Sequence, residues 1–257
     1  MPGMRVSSIA VCMAAALTVA CGQPLVQAPA AQPTSAPRPQ PLSLKAADGA
    51  TIYGLHYPAG QPKAVVLLFH QAGSGKGEYA SIAPRLVGAG YSALAIDQRA
   101  GGAMFGRNET AVALGRDAAY PDAEQDLEAA FTWARARKLP IILWGSSYSA
   151  ALVFRLAARH PGEVEAVLAF SPGEYLDRPA VVRTAAARVS APVFVTSAAE
   201  AQEIAAARAL LAASPARVKV QHVPRAGVHG SSTLIASKNP GGAEENWRAV
   251  LSFLERL

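Results

Sequence analysis

Six short segments of the chain are rich in apolar residues: AVVLLFH (64–70), SALAID (92–97), IILWG (141–145), VEAVLAF (164–170), APVFVTS (191–197) and RVKVQHV (217–223). A strand with one wet face alternates apolar and polar positions, whereas a strand covered on both faces does not have to. These runs therefore predict buried parallel strands. The intervals between them carry helical patterning and predict crossover helices over Glu78–Gly88, Pro121–Lys138, Tyr148–Arg159 and Glu200–Ala213, with a last helix over Ala243–Leu257. In the second of these, Pro121, Asp122 and Glu124 stand at the start and Arg135, Arg137 and Lys138 near the end, as the helix dipole favours. Ahead of the first run, LSLKAADGATIYGLHYPA has Asp48-Gly49 at its middle, a turn signal that predicts a leading antiparallel hairpin. The expected fold is α/β, a mostly parallel, doubly wound sheet behind that hairpin, occupying residues 42–257.

Upstream of residue 42 the pattern changes. Residues 22–41, GQPLVQAPAAQPTSAPRPQP, are rich in Pro, Ala and Gln without an apolar period and read as a linker. The first twenty residues combine Arg5 with an uncharged run ending in small residues before Cys21, the layout of an export signal. Thr18-Val19-Ala20-Cys21 resembles a bacterial lipoprotein cleavage site, which implies lipid on Cys21 and attachment to a membrane of the cell envelope. The alternative is an ordinary signal peptide and a soluble secreted or periplasmic product. Cys12 falls in the segment that cleavage removes, so the mature chain keeps one cysteine and no internal disulfide.

Over the whole chain 51% of residues are hydrophobic and 16% charged, enough apolar material for one sizeable core. Lys and Arg number 24 against 18 Asp and Glu, a formal charge of +6, but the basic residues are scattered and suggest no nucleic-acid partner. No metal-ligand cluster is visible, and no cofactor is expected.

Candidate chemistry enters with IILWGSSYSAAL (141–152), where a buried strand runs into three serines. A serine nucleophile on a strand-to-helix turn needs small residues two positions before and after it, because the backbone turns sharply there. Ser146 is flanked by Trp144 and Tyr148, and Ser149 lies beyond the turn, inside the expected helix. Ser147, between Gly145 and Ser149, meets the requirement and is the candidate.

A second segment, His70-Gln71-Ala72-Gly73 at the end of the first buried strand, is similar to the His-Gly-x-Gly loop of the α/β-hydrolase superfamily, with Gln71 where Gly is common. That resemblance, to small capless esterases and dienelactone-hydrolase-like members, extends over about residues 42–257. It implies an oxyanion hole from the backbone N–H groups of Ala72 and Tyr148, an acid just past the penultimate strand, and a histidine after the last one. Glu200 stands at the offset of the acid, with Glu203 the nearest rival and Asp177 a more distant one. Of five histidines, His229 in the small-residue loop VPRAGVHGSS completes the order Ser147, Glu200, His229. Gly73-Ser74-Gly75-Lys76-Gly77 lacks the spacing of a phosphate loop, so Lys76 reads as a solvated loop residue. Asp97 reads as a structural loop anchor, and Arg99, Arg107 and Arg116 as solvated members of a long exposed loop over 98–120 that borders the site, with contact to an acidic substrate the alternative.

The function implied is a serine hydrolase that cleaves a small-molecule ester through an acyl-enzyme. A peptidase or acyltransferase with the same triad, or a non-catalytic binding lipoprotein that keeps the fold, are the alternatives.

Overall fold

The computed structural model describes residues 38–257, together with Met1, Gly3 and Ala10. Apart from those three residues, the segment expected as a signal peptide over 1–20 lies outside the described residues, as do Cys21 and nearly all of the expected linker over 21–41. By contacts the chain divides between Ser35 and Ala36, and the second unit is the one described below.

Eight strands form one sheet: β1 (Gln40–Lys45), β2 (Thr51–Tyr57), β3 (Val65–Phe69), β4 (Ser92–Ile96), β5 (Ile141–Ser146), β6 (Ala166–Phe170), β7 (Val193–Thr196) and β8 (Lys219–His222). Their spatial order is β1-β2-β4-β3-β5-β6-β7-β8. The hairpin β1–β2 and the β2–β4 pair are antiparallel, and every other neighbour is parallel. The register explains the continuous apolar runs. Leu68, Trp144, Leu168 and Phe194 stand side by side across four strands and point to one layer, while Leu67, Leu143, Val167 and Val193 point to the other.

Helices close both faces. On one lie α1 (Ile82–Gly88) and α7 (Ala243–Leu254), packed on the layer that holds Trp144 and Phe194. On the other lie α3 (Glu124–Arg135), α4 (Tyr148–Arg159), α5 (Val181–Ala186) and α6 (Ala201–Ala213). A short α2 (Glu109–Leu114) sits in the connection after β4 and packs near β2. None of the described helices is long and apolar enough to cross a membrane.

Three local expectations are corrected. The helix expected over Glu78–Gly88 is a 3-10 turn, Lys76–Tyr79, followed by the separate α1, because the Glu78 side chain turns into the protein to bind the Gln71 amide. Lys76 is not solvated: its ammonium binds Asp97 at 2.6 Å and Glu109 at 2.5 Å. Asp97 also accepts the backbone N–H of Lys76 (2.7 Å) and of Glu109 (2.8 Å), so it anchors the start of the 98–120 connection.

Arg99 is the third correction. It is 3% exposed and joins the hairpin turn to α3: its guanidinium donates to Asp48 at 2.5 Å and to Asp126 at 2.9 Å, and its own N–H to Asp126 at 2.7 Å. Burial pushes the Asp126 carboxyl up to about 6 despite this partner, which shows how costly the site would be for an unpaired charge. Replacement Arg99→Leu strands one fully buried carboxylate. It is expected to lower stability by about 3–5 kcal/mol, measured as a shift of the urea midpoint.

Candidate active site

Four strand ends and the loops that follow them build the site. At the end of β5 the chain turns so sharply that Ser147 takes φ 59° and ψ −122°, a conformation few residues other than glycine adopt. The strain is held in place by both of its backbone groups: the Ser147 N–H donates to the Phe170 carbonyl and its C=O accepts from Ala150, each at 2.8 Å. Residue 145 has to be glycine, since a β-carbon there would run into the Ser149 carbonyl across the turn. The neighbouring serines have other partners. Ser149 donates to the His70 carbonyl at 2.5 Å and Ser146 to the Glu78 carboxylate at 2.8 Å.

His229 follows β8 in a loop tied down from below: the side-chain amides of Asn239 and Asn246 both donate to the Ala226 carbonyl, at 3.1 and 3.0 Å. Gly230, at φ 67°, donates its N–H to the Ser171 hydroxyl at 2.9 Å. In this position the imidazole Nε2 lies 2.7 Å from Ser147 Oγ, and Nδ1 lies 2.7 Å from a carboxylate oxygen.

That carboxylate belongs to Glu203. Glu200 is exposed, takes extended backbone (φ −72°, ψ 133°) as the residue before α6, and forms no hydrogen bond or ion pair with His229, whose carboxylate partner is Glu203. Glu203, one turn into the helix, reaches back with one oxygen to His229 and with the other to the Ala198 N–H at 3.0 Å. A carboxylate at the third helical position commonly folds back on the amides that precede the helix, and here the same geometry carries it to the imidazole. Asp177 lies in the segment before α5, on the wall formed with Arg155 and Arg178, away from this group.

Electrostatics follow from these bonds. Burial works to raise the Glu203 carboxyl, but the His229 N–H, the Ser171 hydroxyl and the Ala198 amide outweigh it and hold it down at about 2. The hydrogen bond that His229 Nδ1–H donates to Glu203 lifts the imidazole above its ordinary value against a smaller opposing effect of burial.

The loop after β3 brings Ala72 to the same rim. His70 is fully buried, its Nδ1 2.8 Å from the Gln71 carbonyl and its Nε2 2.8 Å from the Gln98 N–H. One nitrogen must donate and the other accept, so the ring is neutral, and burial keeps it so by lowering its pKa to about 4. Because C=O and N–H of a trans peptide point in opposite directions, fixing the Gln71 carbonyl on His70 aims the Ala72 N–H the other way. Tyr148 supplies the first amide of α4, and among the described residues neither of these two N–H groups donates to another protein atom. Gln71, which replaces the usual glycine, does not disturb the loop: its side-chain amide donates to Ser232 at 3.2 Å, joining the loop to the segment after His229.

Sequence reading did not anticipate Glu78 or Ser171. Neither lies in a recognisable motif, and each matters only through segments distant in the chain. Among the described residues no three His, Cys, Asp or Glu side chains converge as a metal-binding group.

The site is bordered on one side by the 98–120 connection, where Asn108 caps α2 by accepting the Ala111 N–H at 2.8 Å and Met104 stands exposed beside Gln71. Tyr120 stacks on Tyr148 with ring centres 4.4 Å apart. The connection after β6 holds only the six-residue α5, so among the described residues no cap domain inserted there covers Ser147.

The two glutamates can be told apart without any assay of activity. In an NMR titration of the histidine rings, Glu203→Gln is expected to bring the His229 pKa down, because the main cause of its elevation is removed. Glu200→Gln is expected to move it far less, since Glu200 acts only through space and ranks last among the contributions.

Comparison with known proteins agrees with this architecture. The family model described as serine aminopeptidase, S33, matches residues 60–229, about two thirds of the chain. No curated protein is a significant match by sequence. Among solved structures, a dienelactone hydrolase from Anabaena variabilis is 19% identical with a TM-score of 0.69, the match covering 86% of this chain and 99% of that one. An esterase from Pyrococcus furiosus is 19% identical with a TM-score of 0.60, over 85% of this chain and 90% of its own. A cold-adapted esterase from an Arctic intertidal metagenomic library is 21% identical with a TM-score of 0.53, over 72% and 82%. Family match, sheet order and helix placement converge: the chain belongs to the serine aminopeptidase, S33, family and is a serine-type α/β hydrolase.

Proposed function

We propose that this hydrolase cleaves small-molecule esters with Ser147 as nucleophile, His229 as general base and Glu203 as the acid that holds the imidazole. The observation that carries the reading is the unbroken series Glu203–His229–Ser147, with 2.7 Å at each step. Ser147 Oγ attacks the ester carbonyl carbon as its proton passes to His229 Nε2, and the N–H groups of Ala72 and Tyr148 receive the developing oxyanion. Collapse of the tetrahedral species expels the alcohol, which takes the proton from His229. Water, deprotonated by the same nitrogen, then attacks the acyl-enzyme and releases the acid. Glu203 stays ionised throughout and stabilises the imidazolium. The esterase and dienelactone hydrolase architectures favour a small-molecule ester, and the uncovered rim leaves it direct access to Ser147.

Amide cleavage is the second reading, favoured by the name of the matching family. The two part on the leaving group: an amine departs only if His229 protonates it efficiently. Side-by-side rates on p-nitrophenyl esters and aminoacyl p-nitroanilides decide between them.

The first forty-one residues complete the proposal. Export, cleavage before Cys21 and acylation of that cysteine would leave the folded domain on a linker at a membrane surface. Metabolic labelling with palmitate is expected to mark the native chain and not Cys21→Ala, while a native chain without label points to a released product.

For the chemistry, Ser147→Ala is expected to lower kcat/KM on p-nitrophenyl esters by roughly three to six powers of ten, and Glu203→Gln by about three to four. Glu200→Gln should stay within about twofold, as expected for an exposed side chain away from the reacting atoms. His229 must be neutral to accept a proton, so the acidic limb of kcat/KM should fall at a pH above the ordinary imidazole value and move down in Glu203→Gln, where residual activity permits.

A further inference from the structure

Glu78 is a deeply buried carboxylate beside the site that the chemistry above leaves unused. It is 1% exposed, and burial pushes its carboxyl up to about 7, a sign that holding a charge here is costly. Both of its oxygens are engaged. Oε2 accepts the Gln71 N–H at 2.9 Å, and Oε1 accepts the Ser146 hydroxyl at 2.8 Å. The Ser146 oxygen in turn accepts the Ser231 N–H at 2.8 Å. Two segments meet on this side chain and a third joins through Ser146: Gln71 precedes Ala72, Ser146 precedes Ser147, and Ser231 lies two residues past His229.

The geometry points to Glu78 as a positioning residue that holds the oxyanion loop, the nucleophile turn and the His229 loop in mutual register. The inference rests on the hydrolytic reading of Ser147 and His229. Two independent features support it. Gly230 passes so close to Ser146 that a β-carbon would strike the serine hydroxyl, so the His229 loop is seated directly on this hydrogen-bond chain. Across the same junction the Gln71 side chain donates to Ser232 at 3.2 Å, a second tie between the same two loops. A carboxylate is needed because two donors, an amide N–H and a hydroxyl, approach its two oxygens. An amide side chain of identical shape would turn one acceptor into a donor facing a donor. The expected consequence is a displacement of Ala72 or His229 by a fraction of an ångström, which weakens the transition state and leaves ground-state binding largely intact.

The test uses the full chain and normalises every rate to the number of sites titrated by a fluorophosphonate. For Glu78→Gln, kcat per titrated site is expected to fall at least about tenfold with KM little changed, and fluorophosphonate labelling of Ser147 to slow in step. Ser146→Ala cuts the same chain from the other side and should show the same split, and the double variant should lose little more than the worse single one. A merely structural role predicts instead a lower melting temperature and fewer titratable sites, each turning over at the native rate. kcat per site within about twofold of native in Glu78→Gln therefore overturns the inference; should that variant not fold, Ser146→Ala decides by the same criterion. Ser147→Ala, run alongside, separates the two levels: if it retains activity, the hydrolytic reading itself fails.

Discussion

One imidazole can hold a hydroxyl on one side and a carboxylate on the other only if three chain segments end within a few ångströms of one another. His229 is 82 residues from Ser147 and 26 from Glu203, and both contacts are 2.7 Å. No local interaction can impose that meeting. It is imposed by the sheet: β5, β7 and β8 run parallel, so their ends face the same rim, and each connection returns through a helix that packs against a face. The apolar strands buried on both sides are what keep the ends in register. Rows such as Leu68, Trp144, Leu168 and Phe194 leave no freedom to slip by one residue without exchanging the two cores.

On that frame the site is held by buried polar contacts of two kinds. Some fix backbone strain, as the Phe170 carbonyl does for the Ser147 amide. Others orient peptide groups through side chains: His70 on the Gln71 carbonyl, Ser171 on the Gly230 amide, Glu78 on the Gln71 amide. Each of these side chains is buried, and each would be expensive to leave unpaired. These buried pairings fix the loops in place, and that mutual dependence is what makes the geometry sharp, while among the described residues the Ala72 and Tyr148 N–H groups donate to no protein atom.

The segment after β4 shows how electrostatics shape the rim. Asp97, with no exposed surface, gathers two amides and the Lys76 ammonium at the point where the chain leaves the sheet. Arg99, two residues on, is drawn under the hairpin by Asp48 and Asp126. A basic residue in a long connection looks like a solvated one until its carboxylate partners, 51 and 27 residues away, are brought beside it.

What the amino-acid sequence determined by itself is the set of features encoded over a few residues. The unbroken apolar runs specify double-sided strands, Asp48-Gly49 the hairpin, and Gly145-x-Ser147-x-Ser149 the tight turn at a strand end, since each depends on side-chain size, backbone freedom or burial within one segment. Short α5 escaped that reading because its start is capped by Glu174, whose carboxylate accepts the N–H groups of Val182 and Arg183 from well upstream. The choice between Glu200 and Glu203 escaped it as well. Both glutamates follow β7, three residues apart, and only the start of α6 decides which one faces the imidazole. Glu78 was a matter of tertiary structure, because its carboxylate acquires this part only when Ser146, 68 residues away, reaches one of its oxygens and carries the Ser231 amide of the His229 loop with it.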